Sequence, residues 1–325
     1  MVASTQLSLV NTIFKRPWSL KHYVENWEKR MGFLTPIIWR NVFYASALHI
    51  VTVVWAIYIL SHQFPKWQTI LFTVVVITLA GIGVTAGVHR YFCHRSFKAT
   101  KPLHVLLLLC YSMAGQYTIY QWVRDHHIHH KFSETSADPH NANRGFFFAH
   151  IGWFMMKRHP DVIREGKKLD LSYILDDPIT SFHIRHFMKF KILNCFVLPM
   201  LIPWWFWDES WQISVVSNLC RYVYLLNVTW SVNSFAHLWG NRPYDKNIMP
   251  SENWMVSLVA GGEGWHNYHH TFPWDYKTAE LPYSLNITTF YLNLFAYIGW
   301  AYDLRVASPE LIKAVAEKRG EAIGN

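Results

Sequence analysis

The chain has 325 residues, 51% of them hydrophobic, 17% aromatic and only 16% charged, with a formal net charge of +9. That composition excludes a disordered chain, which is poor in aromatic and apolar side chains. It also argues against a simple soluble domain, because the apolar residues gather in long uncharged runs. Four cysteines, Cys93, Cys110, Cys195 and Cys220, are scattered without a CxxC pair, which excludes a disulfide scaffold and fits a reducing compartment.

In chain order, residues 1–41 read as a cytosolic segment, and MVASTQLSLVNTIFKRPWSL lacks the basic and apolar regions of a cleavable signal peptide. Residues 42–60 and 67–88 contain no charge, and each is long enough to cross about 30 Å of hydrocarbon. The connector 61–66 is short, so 42–88 reads as a transmembrane hairpin. Residues 89–189 are polar and basic apart from the run 103–120. A second hairpin is expected over 190–236, with spans near 190–207 and 215–236. Trp204, Trp205, Trp207 and Trp211 cluster at its turn, as an interfacial belt does. Residues 237–325 form a last cytosolic segment, ending in a helix that starts Ser-Pro-Glu. Nearly all Lys and Arg lie outside the two connectors, so the positive-inside rule puts both termini and the middle segment in the cytosol. On that reading 103–120 is a helix packed on the cytosolic side rather than a fifth span.

The 19 histidines carry the functional argument. His89 and His94 form HxxxxH; His126, His129 and His130 form HxxHH; His266, His269 and His270 form HxxHH again; Asn233 and His237 stand four apart at the end of the fourth span. Imidazole suits iron, zinc and copper, and residues three or four apart share a helix face. Nine imidazoles exceed what one ion takes, so two metals are implied. Isolated histidines such as His22, His49, His62, His104, His183 and His186 read as structural, and Cys93 reads as packing.

At these residues the sequence resembles the membrane fatty acyl-CoA desaturases, most closely their insect branch. The resemblance rests on GVHRYFCHRSFKA, WVRDHHIHHKFSETSADPHNANRGFFFAHIGW, NSFAHLWGNRPYDKNI and GEGWHNYHHTFPWDY, and runs from about residue 37 to 305. It implies an all-α integral membrane fold of four transmembrane helices in two hairpins, capped by a cytosolic helical domain holding a dimetal site. The implied ligands of two iron ions are His89, His94, His126, His129, His130, His237, His266, His269 and His270, with Asn233 acting through water. His127 falls at a variable position and is not counted. The implied reaction removes two hydrogens from an acyl chain with dioxygen and two electrons. Asp125, Glu134, Asp138 and Glu263 are candidates for orienting the imidazoles.

The resemblance also implies substrate contacts. Asn41, Arg124, Asp125, Lys157 and Arg158 fall at the entrance for the coenzyme A moiety, whose phosphates call for basic side chains. Gln116, Trp122 and Thr229 match the bend that holds the acyl chain against the irons, and Trp153 and Trp230 match tunnel-side aromatics. Tyr117 stands where relatives usually carry Asn. Ile77 and Gly81 lie on the helix face below His89, where the methyl end of the chain would run; Gly81 reads equally as a helix–helix contact. No fused haem segment or nucleotide fingerprint is present, so cytochrome b5 and its NADH-dependent reductase are implied partners in the endoplasmic reticulum membrane; no nucleic acid partner is expected. Within the same chemistry a hydroxylase or conjugase remains open. From another class, a histidine-rich metal transporter remains open too.

Overall fold

The computed structural model describes residues 20–280 and 285–321. Residues 1–19, which carry most of the signal-peptide argument, and 322–325 at the end of the tail lie outside that range. The principal helices are α1 (Leu20–Arg30), α2 (Trp39–Leu60), α3 (Trp67–Cys93), α4 (Lys101–Ala114), α5 (Ile119–Phe132), α6 (Phe187–Trp207), α7 (Trp211–Leu238), α8 (Trp254–Val259), α9 (His266–Thr271), α10 (Ile287–Tyr297) and α11 (Pro309–Arg319). Short helical turns fill the stretch between α5 and α6. Strands β1 (Lys98–Ala99) and β2 (Ala301–Tyr302) pair antiparallel.

Among the described residues, α2, α3 and α6 are long and apolar enough to cross a membrane. Phe43, Ile50, Val54 and Ile57 point outward from α2 and are exposed, a surface that suits lipid better than water. The fourth expected span is α7, the longest helix at 28 residues, but its interior is more polar than that of the other three. Arg221 is buried in it. Its guanidinium is satisfied internally, donating to the Met113 and Cys195 carbonyls at 2.8 and 2.6 Å and to Asn218 at 2.9 Å. The run 103–120 breaks in two: α4 ends at Gly115, whose φ of +62° closes it, and α5 begins after Thr118. At 14 residues α4 is about 21 Å long, shorter than the hydrocarbon layer.

The α2–α3 and α6–α7 turns meet at one end of the bundle. Asp208 ends α6 with φ +51°, and the Ser210 hydroxyl caps α7. Buried Glu209 accepts from the Lys66 backbone N–H at 2.8 Å and the Thr69 hydroxyl at 2.5 Å, and Trp207 Nε1 donates to Thr69 Oγ1 at 2.8 Å. At the other end α5, α9, the strand pair and α10 form the cap, with Phe97, Leu103, Leu107 and Leu292 in its core. The tail helix begins as its sequence indicates, with Ser308 accepting from the Leu311 N–H.

Helix α3 changes winding partway: its last eleven residues, Gly83–Cys93, are π-helical. Gly83 permits a close crossing, since a Cβ there would lie 2.2 Å from the Tyr111 backbone nitrogen. Gly81, one of the two glycines nearest it in the chain, would place a Cβ in open space. Gly83→Val is therefore expected to cost about 3 kcal/mol or more, while Gly81→Ala changes stability by less than about 1 kcal/mol. Thermal unfolding of the two variants in detergent checks the contrast.

Candidate metal centre and adjoining cavities

The π winding of α3 is what makes HxxxxH a usable pair. Five residues along an α-helix are turned roughly 140° apart, but a wider turn with i→i−5 hydrogen bonding brings them towards one side. The His94 N–H donates to the His89 carbonyl at 3.0 Å, and the two rings lie 4.8 Å apart. The second box sits on α5, started by a capping box between Thr118 and Gln121. In the third box, the residues between the histidines anchor it. Asn267 donates to the Asp245 and Pro250 carbonyls at 2.9 Å, the Tyr268 N–H donates to Glu252 at 2.7 Å, and the Tyr268 hydroxyl donates to Asp275 at 2.8 Å.

Nine imidazoles converge as two clusters. His89, His94, His126, His130 and His269 form the first; His129, His237, His266 and His270 form the second; within each, the candidate ligand atoms lie within 4.8 Å of one another. Each HxxHH box is divided: an i, i+4 pair goes to one cluster and the remaining histidine to the other. In the first cluster Nε2 atoms follow one another at 2.9 to 3.1 Å, from His94 through His126, His130 and His269 to His89. In the second, His266 Nε2 stands 3.1 Å from those of His237 and His270.

Three carboxylates set the tautomers. Glu263 lies 2.8 Å from His89 Nδ1, Asp138 lies 2.9 Å from His129 Nδ1, and Glu134 lies 2.8 Å from His237 Nδ1. With the proton held at Nδ1, each Nε2 presents a lone pair to its cluster. His129 Nε2 is buried without a hydrogen-bond partner, a state that costs free energy unless a cation or donor fills it. Burial, then repulsion from neighbouring imidazoles, holds His126, His130, His269 and His270 neutral, well below the usual histidine range. Burial opposes ionisation of Glu263, yet Arg90 and His89 hold it at about 2; burial likewise opposes ionisation of Asp138, which His129 holds at about 2. Burial raises Glu134 to about 7. Converging neutral imidazoles backed by buried carboxylates fit metal cations.

Two cavities meet at this centre and share Trp122, His126, Thr229 and Asn233. The lower one runs along α3 past Thr85, Gly81 and Ile77. The upper one is lined by Gln116, Tyr117, Asp125, Trp153 and Trp230. Gln116 Nε2 donates to Thr229 Oγ1 at 2.8 Å, bridging α7 and the α4–α5 turn at the junction. The Trp122 ring stacks on His126 at 4.7 Å.

One expectation needs correction. Asp125 orients no imidazole; Arg124 at 3.0 Å and Arg158 occupy it. Of the expected entrance set, Arg124, Asp125 and Arg158 bond to one another beside the upper cavity. Asn41 donates instead to the Phe154 carbonyl at 2.7 Å, and Lys157 lines a separate pocket with Arg144, Arg158 and His159. Sequence reasoning also passed over His140, which lines the upper cavity beside Trp153 with ring centroids 4.5 Å apart. Arg90 was missed as well, a fully buried cation bonded to Glu263 at 2.7 Å. The DPH spacing after the second box was a signal for His140; an arginine directly after a ligand in an uncharged span was one for Arg90.

The fatty acid desaturase profile matches residues 65–285. The chain is 47% identical to an acyl-CoA Delta-9 desaturase of Acheta domesticus, over 90% of this chain and 81% of that protein. It is 49% identical to an acyl-CoA Delta(11) desaturase of Trichoplusia ni, over 79% and 74%, and 46% identical to the stearoyl-CoA desaturase of Homo sapiens, over 87% and 79%. The chain belongs to the fatty acid desaturase family. This desaturase is an oxidoreductase of the animal type, and the transporter reading falls away.

Replacing a carboxylate behind a metal ligand typically lowers metal affinity 10- to 100-fold. Asp138→Ala and Glu263→Ala are each expected to weaken metal binding by about that range, read by competition against a chelator. His127→Ala, whose ring faces Tyr173, is expected to leave it unchanged.

Proposed function

We propose that this desaturase inserts a double bond into a fatty acyl-CoA chain at a di-iron centre held by the nine imidazoles, with Asn233 acting through water. The observation that carries the proposal is the meeting of two cavities at the two imidazole clusters. In the balanced reaction, two C–H hydrogens from a CH2–CH2 unit, two protons and two electrons reduce one dioxygen to two waters. No side chain oxidises an alkane, and zinc has no redox chemistry; bound iron would supply the redox step and the dioxygen binding.

The chain's own residues do the rest. The Gln116–Thr229 bridge and Trp122 set the bend, so one carbon pair is presented to the metals while the lower cavity takes the methyl end. Trp153 and Trp230 wall off water from the upper limb. Arg124 and Arg158, neutralising Asp125, stand at the mouth where phosphates of coenzyme A enter, with Lys157 and Asn41 at its margin. Cytochrome b5 and its NADH-dependent reductase supply electrons from the cytosolic side of the endoplasmic reticulum membrane. Two hairpins, 42–88 and 190–236, anchor the protein, and the segments 1–41, 89–189 and 237–325 are cytosolic. Epitope tags in 61–66 and 208–214 are expected to be protected in sealed microsomes, and a tag near residue 165 to be cleaved. Protection at 165 would overturn this topology.

Expression in desaturase-deficient yeast, with location of new double bonds by mass spectrometry, tests the reaction. Hydroxylated or conjugated products would favour the related chemistries over desaturation. Chain length tests the lower limb: Gly81 lies about 12 Å and Ile77 about 18 Å below His89, and Gly81 borders open cavity. Gly81→Phe is expected to abolish activity on longer acyl-CoAs and spare shorter ones. A uniform loss across chain lengths, with metal content intact, would contradict this role.

A further inference from the structure

On the surface of the cap a separate pocket is lined by His94, Arg95, Phe97, Lys98, Asp303 and Arg305, and it shares no residue with either acyl cavity. Two chain segments build it. Strands β1 and β2 pair Lys98 with Tyr302, and the Arg305 N–H donates to the Ser96 carbonyl at 2.9 Å. Arg95, Lys98 and Arg305 are exposed. Lys98 is paired with Asp303 at 2.7 Å. Arg95 rests its guanidinium over the Tyr173 ring at 5.1 Å, and among the described residues neither it nor Arg305 has a carboxylate partner. The pocket therefore carries two uncompensated positive charges.

Its inner wall is a metal-cluster histidine. His94 is half-buried, with Nε2 2.9 Å from His126 Nε2 in the first cluster. The turn after it is held in an unfavourable shape: Arg95 has φ +50°, which costs about 1–3 kcal/mol for a residue other than glycine. The Ser96 N–H and hydroxyl both donate to the Arg90 carbonyl at 3.0 Å and pin that turn.

We propose that this pocket docks an acidic one-electron carrier protein, which passes electrons to the metal centre through the His94 ring. The inference rests on the desaturase reaction proposed above, which consumes two electrons per turnover. Electron transfer slows steeply with distance, and an imidazole that is at once ligand and surface offers a short route. The acyl limbs are filled by substrate during turnover, whereas this pocket stays clear of them. At the acyl mouth Arg124 and Arg158 are already engaged by Asp125; here the cations are free to meet a partner's carboxylates, and complementary charge speeds encounter and fixes orientation.

The test uses the full-length, iron-loaded protein in nanodiscs and the soluble haem domain of cytochrome b5 as probe. Arg95→Glu combined with Arg305→Glu is expected to weaken cytochrome binding about tenfold or more and to flatten its salt dependence. The milder Arg95→Gln/Arg305→Gln pair should give a smaller loss in the same direction, and Lys167→Glu, an exposed cation of another surface, should shift affinity by less than about twofold. Acyl-CoA affinity, measured separately, is expected to stay unchanged in all three. Unchanged cytochrome affinity in the double variants would overturn the proposal. So would a loss of acyl-CoA affinity, or displacement of the cytochrome by millimolar phosphate, because each would make the pocket a phosphate site. A wild-type protein that binds the cytochrome yet desaturates no acyl-CoA would instead overturn the functional reading and leave the docking site standing.

Discussion

The structure depends on holding nine imidazoles in two tight clusters with their ring nitrogens turned toward one another. Left to themselves, buried ring nitrogens without partners cost about 1–3 kcal/mol each. Three carboxylates bear on this directly, because Glu263, Asp138 and Glu134 each take an Nδ1 proton and turn the opposite nitrogen inward. The carboxylates need support in turn. Arg90, fully buried, donates to Glu263 while also holding the Tyr276 carbonyl at 2.8 Å and the Thr289 hydroxyl at 3.0 Å. The centre is thus braced from behind by the segments that close the cap, and metal binding and folding of the cap are linked in one network.

Helix α3 joins the bilayer part of the protein to the chemistry. Its α-helical half walls the lower cavity, and its π-helical half presents His89 and His94 and lets Gly83 lie against α4. A residue on this helix therefore has two neighbours to satisfy, the lower cavity and an imidazole cluster. Helix α7 performs the matching task on the other side, with Thr229 and Asn233 on the cavities and His237 in the second cluster. Because both helices carry cluster imidazoles and cavity wall together, a substrate in these cavities would be held relative to the clusters by rigid elements instead of by loops.

Much of this was legible in the sequence. The uncharged runs located α2, α3 and α6, and the HxxHH boxes located the second- and third-box imidazoles that the fold brings into the two clusters, because i, i+3 and i+4 project toward one side of a helix. Glu134, Asp138 and Glu263, expected to orient imidazoles, each bond to an Nδ1. What was not legible has physical causes. HxxxxH does not share a face in an α-helix, and nothing in the local sequence announces π winding. The partition into groups of five and four imidazoles depends on how distant segments cross. Asp125 looked like Asp138, a carboxylate near a histidine box, until its two arginine partners fixed its role. The run 215–236 did locate α7, but how its Arg221 is satisfied was not legible, since its carbonyl partners come from other segments that only the fold brings near.

The central claim is that these imidazoles hold a pair of iron ions. Elemental analysis combined with iron X-ray absorption on the purified full-length protein tests it most directly. The account predicts about two irons per chain in a shell dominated by imidazole nitrogen, with turnover rising in step with iron content. One iron per chain at full turnover, or activity that follows zinc content instead, would contradict it.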